Sequence, residues 1–134
     1  MIDTSLLLAH QAIRRLTAKA LSTLDISADE ARVLEVLGKQ ERPTMGLVAA
    51  TAGLRLPALS KLADRLEARG LVRRVAGDED TRRVHLVLTP QGERQRAQAL
   101  AEFTKIDKYL AEKIGSWEID RLEKLLAKIH EKVL

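Results

Sequence analysis

Residues 56–75, Leu56-Pro57-Ala58-Leu59-Ser60-Lys61-Leu62-Ala63-Asp64-Arg65-Leu66-Glu67-Ala68-Arg69-Gly70-Leu71-Val72-Arg73-Arg74-Val75, decide the fold. The first part reads as a helix. Leu59, Leu62 and Leu66 recur at helical spacing, Pro57 stands at the first helical position where no N–H is needed, and Gly70 ends the run. At Leu71 the period changes, and Leu71–Val75 reads as a short strand. Arg83–Leu88 reads as a second strand, with Val84, Leu86 and Leu88 on one face. Between them Ala76-Gly77-Asp78-Glu79-Asp80-Thr81-Arg82 forms a polar hairpin tip. So small a hairpin is not stable alone and must pack on the neighbouring helices.

Upstream, Met45–Ala52 reads as a short helix opened by Pro43-Thr44 and closed by Gly53, so that Gly53-Leu54-Arg55 joins two helices in a helix-turn-helix. Before it, Ser27-Ala28-Asp29-Glu30 is a capping box opening a helix with Ala31, Val33, Leu34 and Leu37 on its apolar stripe and Gly38 at its stop. The first helix runs from Ser5 to about Leu24 on Leu6, Ala9, Ile13, Leu16, Ala20 and Leu24. Downstream, Thr89 caps a long helix with Pro90 first inside it. It reaches about Ile114, Gly115-Ser116 ends it and caps the next, and a last helix spans Trp117 to Leu134. The order α-α-α-α-β-β-α-α is that of a winged helix-turn-helix: mainly α, six helices with a two-stranded wing.

Length agrees with one domain over residues 1–134. Apolar residues make up 46% and charged residues 31%, and Leu and Ala number 23 and 18 against one each of Phe, Trp and Tyr. That composition suits packed helices. There are no cysteines, so disulfides, thiolate metal sites and thiol redox sensing are excluded. No apolar run approaches the ~18 residues of a membrane span. No signal-peptide pattern opens the chain, and a cytoplasmic location is expected. His10, His85 and His130 show no metal-ligand spacing, His85 is expected to point to solvent, and no catalytic constellation or phosphate loop is present. Neither an enzyme, a metal site nor a cofactor is expected.

The net charge of +4 is unevenly placed: residues 1–41 carry −1, residues 42–90 carry +4 and residues 91–134 carry +1. Eight of the nine cations in the middle third are Arg, the residue suited to bidentate contact with phosphates and base edges. A merely solvated basic face is the competing reading.

Three motifs then stand in register: Leu59–Arg74, Asp80-Thr81-Arg82-Arg83-Val84 and Leu88-Thr89-Pro90-Gln91-Gly92. Together with Thr44-Met45-Gly46 they resemble the MarR family of transcription regulators, whose pattern is D-R-L-E-x-x-G-L-V-x-R, D-x-R and L-T-x-x-G in this order. The resemblance implies a homodimer in which residues 1–26 and 91–134 intertwine while residues 28–90 of each subunit meet double-stranded DNA. It implies a repressor on a pseudo-palindromic operator, released by a small-molecule effector. The competing function is a winged helix that binds a protein, or nucleic acid without sequence preference.

A recognition helix turns its N-terminal residues to the major groove. Here these are Arg55, Pro57, Ala58, Ser60, Lys61 and Arg65, with Leu56 or Ala58 suited to a thymine methyl. Arg65 has the alternative of an ion pair with a nearby carboxylate. Many members of the family open this helix with small polar residues, and Leu56-Pro57-Ala58 departs from that and leaves no side-chain cap. The resemblance implies that Arg82, oriented by Asp80, enters the minor groove from the wing, with Arg74 and Arg83 beside it. The alternative is that Asp80 and Arg82 only stabilise the turn. Thr44 is a candidate phosphate contact or a local cap. His10 and Arg14 are candidates for an effector pocket.

Overall fold

The computed structural model describes residues 1–77 and 83–133. Six α-helices and two strands follow the expected order: α1 Ile2–Leu21, α2 Ala28–Lys39, α3 Met45–Ala52, α4 Leu56–Ala68, β1 Val72–Ala76, β2 Val84–Leu88, α5 Pro90–Ile114 and α6 Ser116–Val133. The fold is that of a winged helix. α1 has the expected length but begins and ends three residues earlier than its apolar repeat suggests. It gives way to one 3-10 turn, Ser22–Leu24, and Asp25 turns the chain in the left-handed region at φ 51°. Ser27 and Glu30 cap α2 reciprocally, the Glu30 N–H donating to Ser27 Oγ at 3.1 Å and the Ser27 N–H to Glu30 Oε1 at 3.2 Å.

The core lies wholly in the middle of the chain. Leu34, Val48, Leu59, Leu66, Val72 and Leu86 are fully buried together, and the buried apolar residues run from Leu21 to Ala99. α4 contributes Leu59, Leu62, Ala63 and Leu66, as its spacing predicts. β1 and β2 pair antiparallel, Val72 opposite Leu88 and Ala76 opposite Val84. The sequence places Val84, Leu86 and Leu88 on one face. Only Leu86 is fully covered, and Val84 is exposed because it stands at the far end of the ladder from α4 and α5. The segment before α3 adds to the sheet: Thr44 pairs with His85, and the Leu86 N–H donates to the Pro43 carbonyl at 3.0 Å. His85, expected at solvent, is half-buried with Nδ1 2.6 Å from the Arg42 carbonyl oxygen.

One junction ties the wing to α5. The Thr89 hydroxyl donates to the Gly70 carbonyl at 2.6 Å and accepts the Gly92 N–H at 3.0 Å, while the Thr89 N–H donates to the Leu71 carbonyl at 3.1 Å. The first turn of α5 therefore lies directly on the backbone that leaves α4. A Cβ at Gly92 would collide with the Leu71 carbonyl oxygen. The spacing of Leu88-Thr89-Pro90-Gln91-Gly92 is thus a steric requirement.

A second tie joins α2 to α5. Arg96 bonds Glu35 at 3.1 Å and Glu93 at 2.6 Å. Its side chain crosses α2 at Gly38, where a Cβ would meet it. Gly38, read as a helix stop, therefore lies inside α2 and makes room for Arg96. α5 continues for 25 residues, about 37 Å of helix, past the core to meet α1 and α6. At that end the apolar stripes are uncovered: no residue of α6 is buried, and Trp117, Leu122, Leu125, Leu126 and Ile129 are exposed.

Gly92→Ala is expected to cost about 3 kcal/mol, because backbone rather than a side chain blocks the new methyl, and to lower Tm by roughly 10 °C. Gly46→Ala is the control: a Cβ there meets nothing within 4 Å, and a helical Ala gains about 0.5–1 kcal/mol over Gly. Thermal denaturation of both variants checks the contrast.

Candidate nucleic-acid interface

α4 is positioned by its apolar seam and presents its other face. Arg55, Leu56, Pro57, Ala58, Lys61 and Arg65 are exposed and Ser60 is half-buried, opposite the buried Leu59, Leu62, Ala63 and Leu66. Arg55 is the N-cap residue, and no side-chain cap hydrogen bond is made there. Pro57 has no N–H, so the N–H groups of Leu56 and Ala58 are the ones in this first turn without an intrahelical acceptor. Among the described residues, Arg55, Lys61 and Arg65 make no ion pair. Arg65 does not take the carboxylate partner left open for it, because the helix positions three and four residues away, Lys61, Leu62, Ala68 and Arg69, hold no carboxylate, and the adjacent Asp64 bonds Arg74 Nη2 at 2.9 Å.

Arg74 points to α4. Besides Asp64, its guanidinium reaches Glu67 Oε1 at 3.1 Å and the Ser60 carbonyl at 3.1 Å, and its backbone N–H donates to Glu67 Oε2 at 3.0 Å. That backbone donor first, and the guanidinium after it, hold the Glu67 carboxyl below the ordinary carboxylate range. Arg73, its neighbour, is exposed on the other face of the strand. Alternation along the strand carries the signal: Val72 is buried, so Arg74, two residues on, shares its side.

An open cleft of about 520 Å³ lies between the starts of α3 and α4 and the wing, lined by Thr44, Met45, Gly46, Leu56, Ser60, Arg74, Arg83 and Val84. Thr44 Oγ1 accepts the Leu47 N–H at 3.2 Å and caps α3, and its hydroxyl proton remains available to an acceptor in the cleft. Arg83 is exposed at the cleft edge. Asp80 and Arg82 lie outside the described residues. The structure thus brings Thr44, Leu56, Ser60, Arg74 and Arg83 to one cleft, while Arg55, Pro57, Ala58, Lys61 and Arg65 lie on the exposed side of the α4 segment outside its lining. Arg42, exposed two residues before Thr44, was not singled out by the sequence motifs.

The effector candidates lie elsewhere. His10 lines an apolar groove of about 580 Å³ with Leu6, Ile13, Leu110, Ile119 and Leu126, between α1, α5 and α6. Arg14 is exposed on α1. Among the described residues no group of three or more His, Asp or Glu is placed to hold a metal ion, and no helix is long and apolar enough to cross a membrane.

Residues 24–83, spanning α2 to the start of β2, match the model of the MarR family. Over that stretch the chain is similar to the MarR family. The relatives that it resembles are transcription regulators. Among its relatives is the HTH-type transcriptional regulator FarR of Neisseria gonorrhoeae, 27% identical over 128 residues, which cover 96% of this chain and 88% of the relative. The transcriptional repressor CouR, solved bound to a 23-mer DNA duplex, is 25% identical with a TM-score of 0.90, covering 97% of this chain and 92% of that one. NadR, solved with 4-hydroxyphenylacetate, is 27% identical with a TM-score of 0.84, covering 96% of this chain and 92% of that one.

A depressed carboxyl pKa adds stability above the unfolded-state value and loses it as pH falls through the folded-state value. Glu67→Gln is therefore expected to lower Tm at pH 7, with the gap to wild type closing below about pH 4. Melting curves across pH 2.5–7 check this.

Proposed function

We propose that this chain is a homodimeric MarR-family repressor that binds a pseudo-palindromic operator and places one α4 in each of two major-groove half-sites. The carrying observation is the exposed face of α4, where Arg55, Lys61 and Arg65 stand without ion partners among the described residues, opposite a fully buried seam. Arg offers a bidentate contact to guanine, and Leu56 and Ala58 offer methyl contacts to thymine. Thr44 is proposed to hold a phosphate from the start of α3. Arg83 is proposed to meet the backbone from the wing, and Arg82, by resemblance to the family, to meet the minor groove with Asp80 orienting it. CouR's complex with a DNA duplex supports this assignment.

The uncovered stripes of α1, α5 and α6 support the dimer, because a second copy would bury Leu122, Leu125, Leu126 and Ile129 together with the groove beside His10. Release by a small-molecule effector extends the proposal, and the complex of NadR with 4-hydroxyphenylacetate supports a small aromatic acid as its class. The apolar opening Leu56-Pro57-Ala58 favours one competing reading, a module that binds nucleic acid without sequence preference or binds a protein.

Selection of binding sites from random duplexes at physiological salt separates the readings. The repressor yields an inverted repeat with half-sites about one helical turn apart, ~10 bp, and a specific-to-nonspecific ratio of about 10³ or more. Retention without a motif overturns it. On the selected duplex, Arg65→Ala is expected to weaken binding at least tenfold, ~1.4 kcal/mol, with Tm unchanged. Leu122→Glu combined with Leu126→Glu is expected to convert a two-chain species to single chains in sedimentation equilibrium.

A further inference from the structure

We propose that Arg74 is a positioning residue for DNA binding: it clamps the base of the wing to the flank of α4 and cancels the two carboxylates that the helix carries there. The inference rests on the DNA-binding reading above and fixes the part of one residue within it. Arg74 faces inward along β1, on the side of the buried Val72. Its Nη2 serves both Asp64 Oδ1 at 2.9 Å and the Ser60 carbonyl at 3.1 Å, and its Nη1 serves Glu67 Oε1 at 3.1 Å. The backbone N–H takes the other oxygen of Glu67 at 3.0 Å. Only a planar fork of several N–H donors meets three acceptors spread over two turns of helix, and a lysine ammonium on a flexible stem does not reproduce it.

Two consequences follow for the reading surface. The wing base and α4 move as one body, so the angle between the two elements that approach DNA is set before binding. The charge of α4 is also sorted. Asp64 lies three residues from Lys61, the spacing at which opposite charges on a helix pair. With Asp64 and Glu67 bound to Arg74, Lys61 is left without an ion partner among the described residues. Without Arg74, two uncompensated carboxylates would stand on the helix nearest the phosphates and draw Lys61 to themselves.

The test has an arm without DNA and an arm with it. In the first, hydrogen exchange is measured on Arg74→Met. The amides of Val72–Ala76 and Val84–Leu88 are expected to exchange at least tenfold faster than in wild type while those of α2 are unchanged. Equal rates overturn the clamp. In the second, affinity and its salt dependence are measured on the selected duplex for Arg74→Met and Arg74→Lys, and for Arg74→Met combined with Asp64→Asn and Glu67→Gln. A clamp predicts that Met and Lys lose affinity alike, by tenfold or more. It also predicts that Arg74→Met adds less than twofold once both carboxylates are neutral. A direct phosphate contact predicts rescue by Lys, a slope reduced by about 0.9 in Arg74→Met, and the same loss in both backgrounds, and that pattern overturns the proposal. If the wild-type chain retains no duplex at all, the DNA-binding reading fails and the role of Arg74 in it fails too. A faulty clamp alone leaves wild-type binding intact.

Discussion

The architecture depends on the contact between the first turn of α5 and the chain leaving α4. Thr89 makes three hydrogen bonds there, two to the carbonyls of Gly70 and Leu71 and one from the Gly92 N–H. Gly92 can sit against Leu71 only because it has no side chain. This junction fixes where the long helix begins relative to both α4 and the wing. The clasp of Arg96 over Gly38 then fixes its direction against α2. With the start and the direction of α5 both set, the far end of α5, together with α1 and α6, is carried to one place about 37 Å from the junction.

Electrostatics in the basic middle third follows from pairing more than from counting. Residues 42–90 hold nine cations, of which eight are Arg. Arg69 stands 3.7 Å from Glu30, and Arg74 is held by Asp64 and Glu67. The remaining charge of α4, on Arg55, Lys61 and Arg65, faces away from the core. Charge meant for a partner and charge meant for the fold are interleaved along the sequence and separate only in space.

The periodic parts of this fold were legible in the sequence. The capping box at Ser27, the bounds of α3, the start of α4, the hairpin and the Thr89 cap are local events, each carried by a few neighbouring residues. What was not legible depends on contacts between distant segments. Gly38 reads as a helix stop until Arg96, 58 residues later, is seen lying across it. His85 reads as a solvent-facing strand residue until the Pro43-Thr44 segment is seen beside it. Arg74 is the intermediate case. The buried Val72 and the period of a strand state its direction, but nothing local states that Asp64 and Glu67 wait on that side. The exposed face of α4 was readable residue by residue, because amphipathicity is itself a local pattern.

The core ends at Ala99, and no residue of α6 is buried within one chain. The stability of this molecule is therefore divided between two kinetic orders. The lobe from α2 to the start of α5 carries its buried core within a single chain, a first-order contribution that needs no second molecule. The helices beyond it pack on one another but leave Leu122, Leu125, Leu126 and Ile129 exposed, so further hydrophobic stabilisation there would rise with the concentration of whatever covers them. A freshly synthesised chain in a sparse population would therefore carry a finished reading head on an unfinished frame. Its lifetime against proteases would be set by how quickly the frame is met.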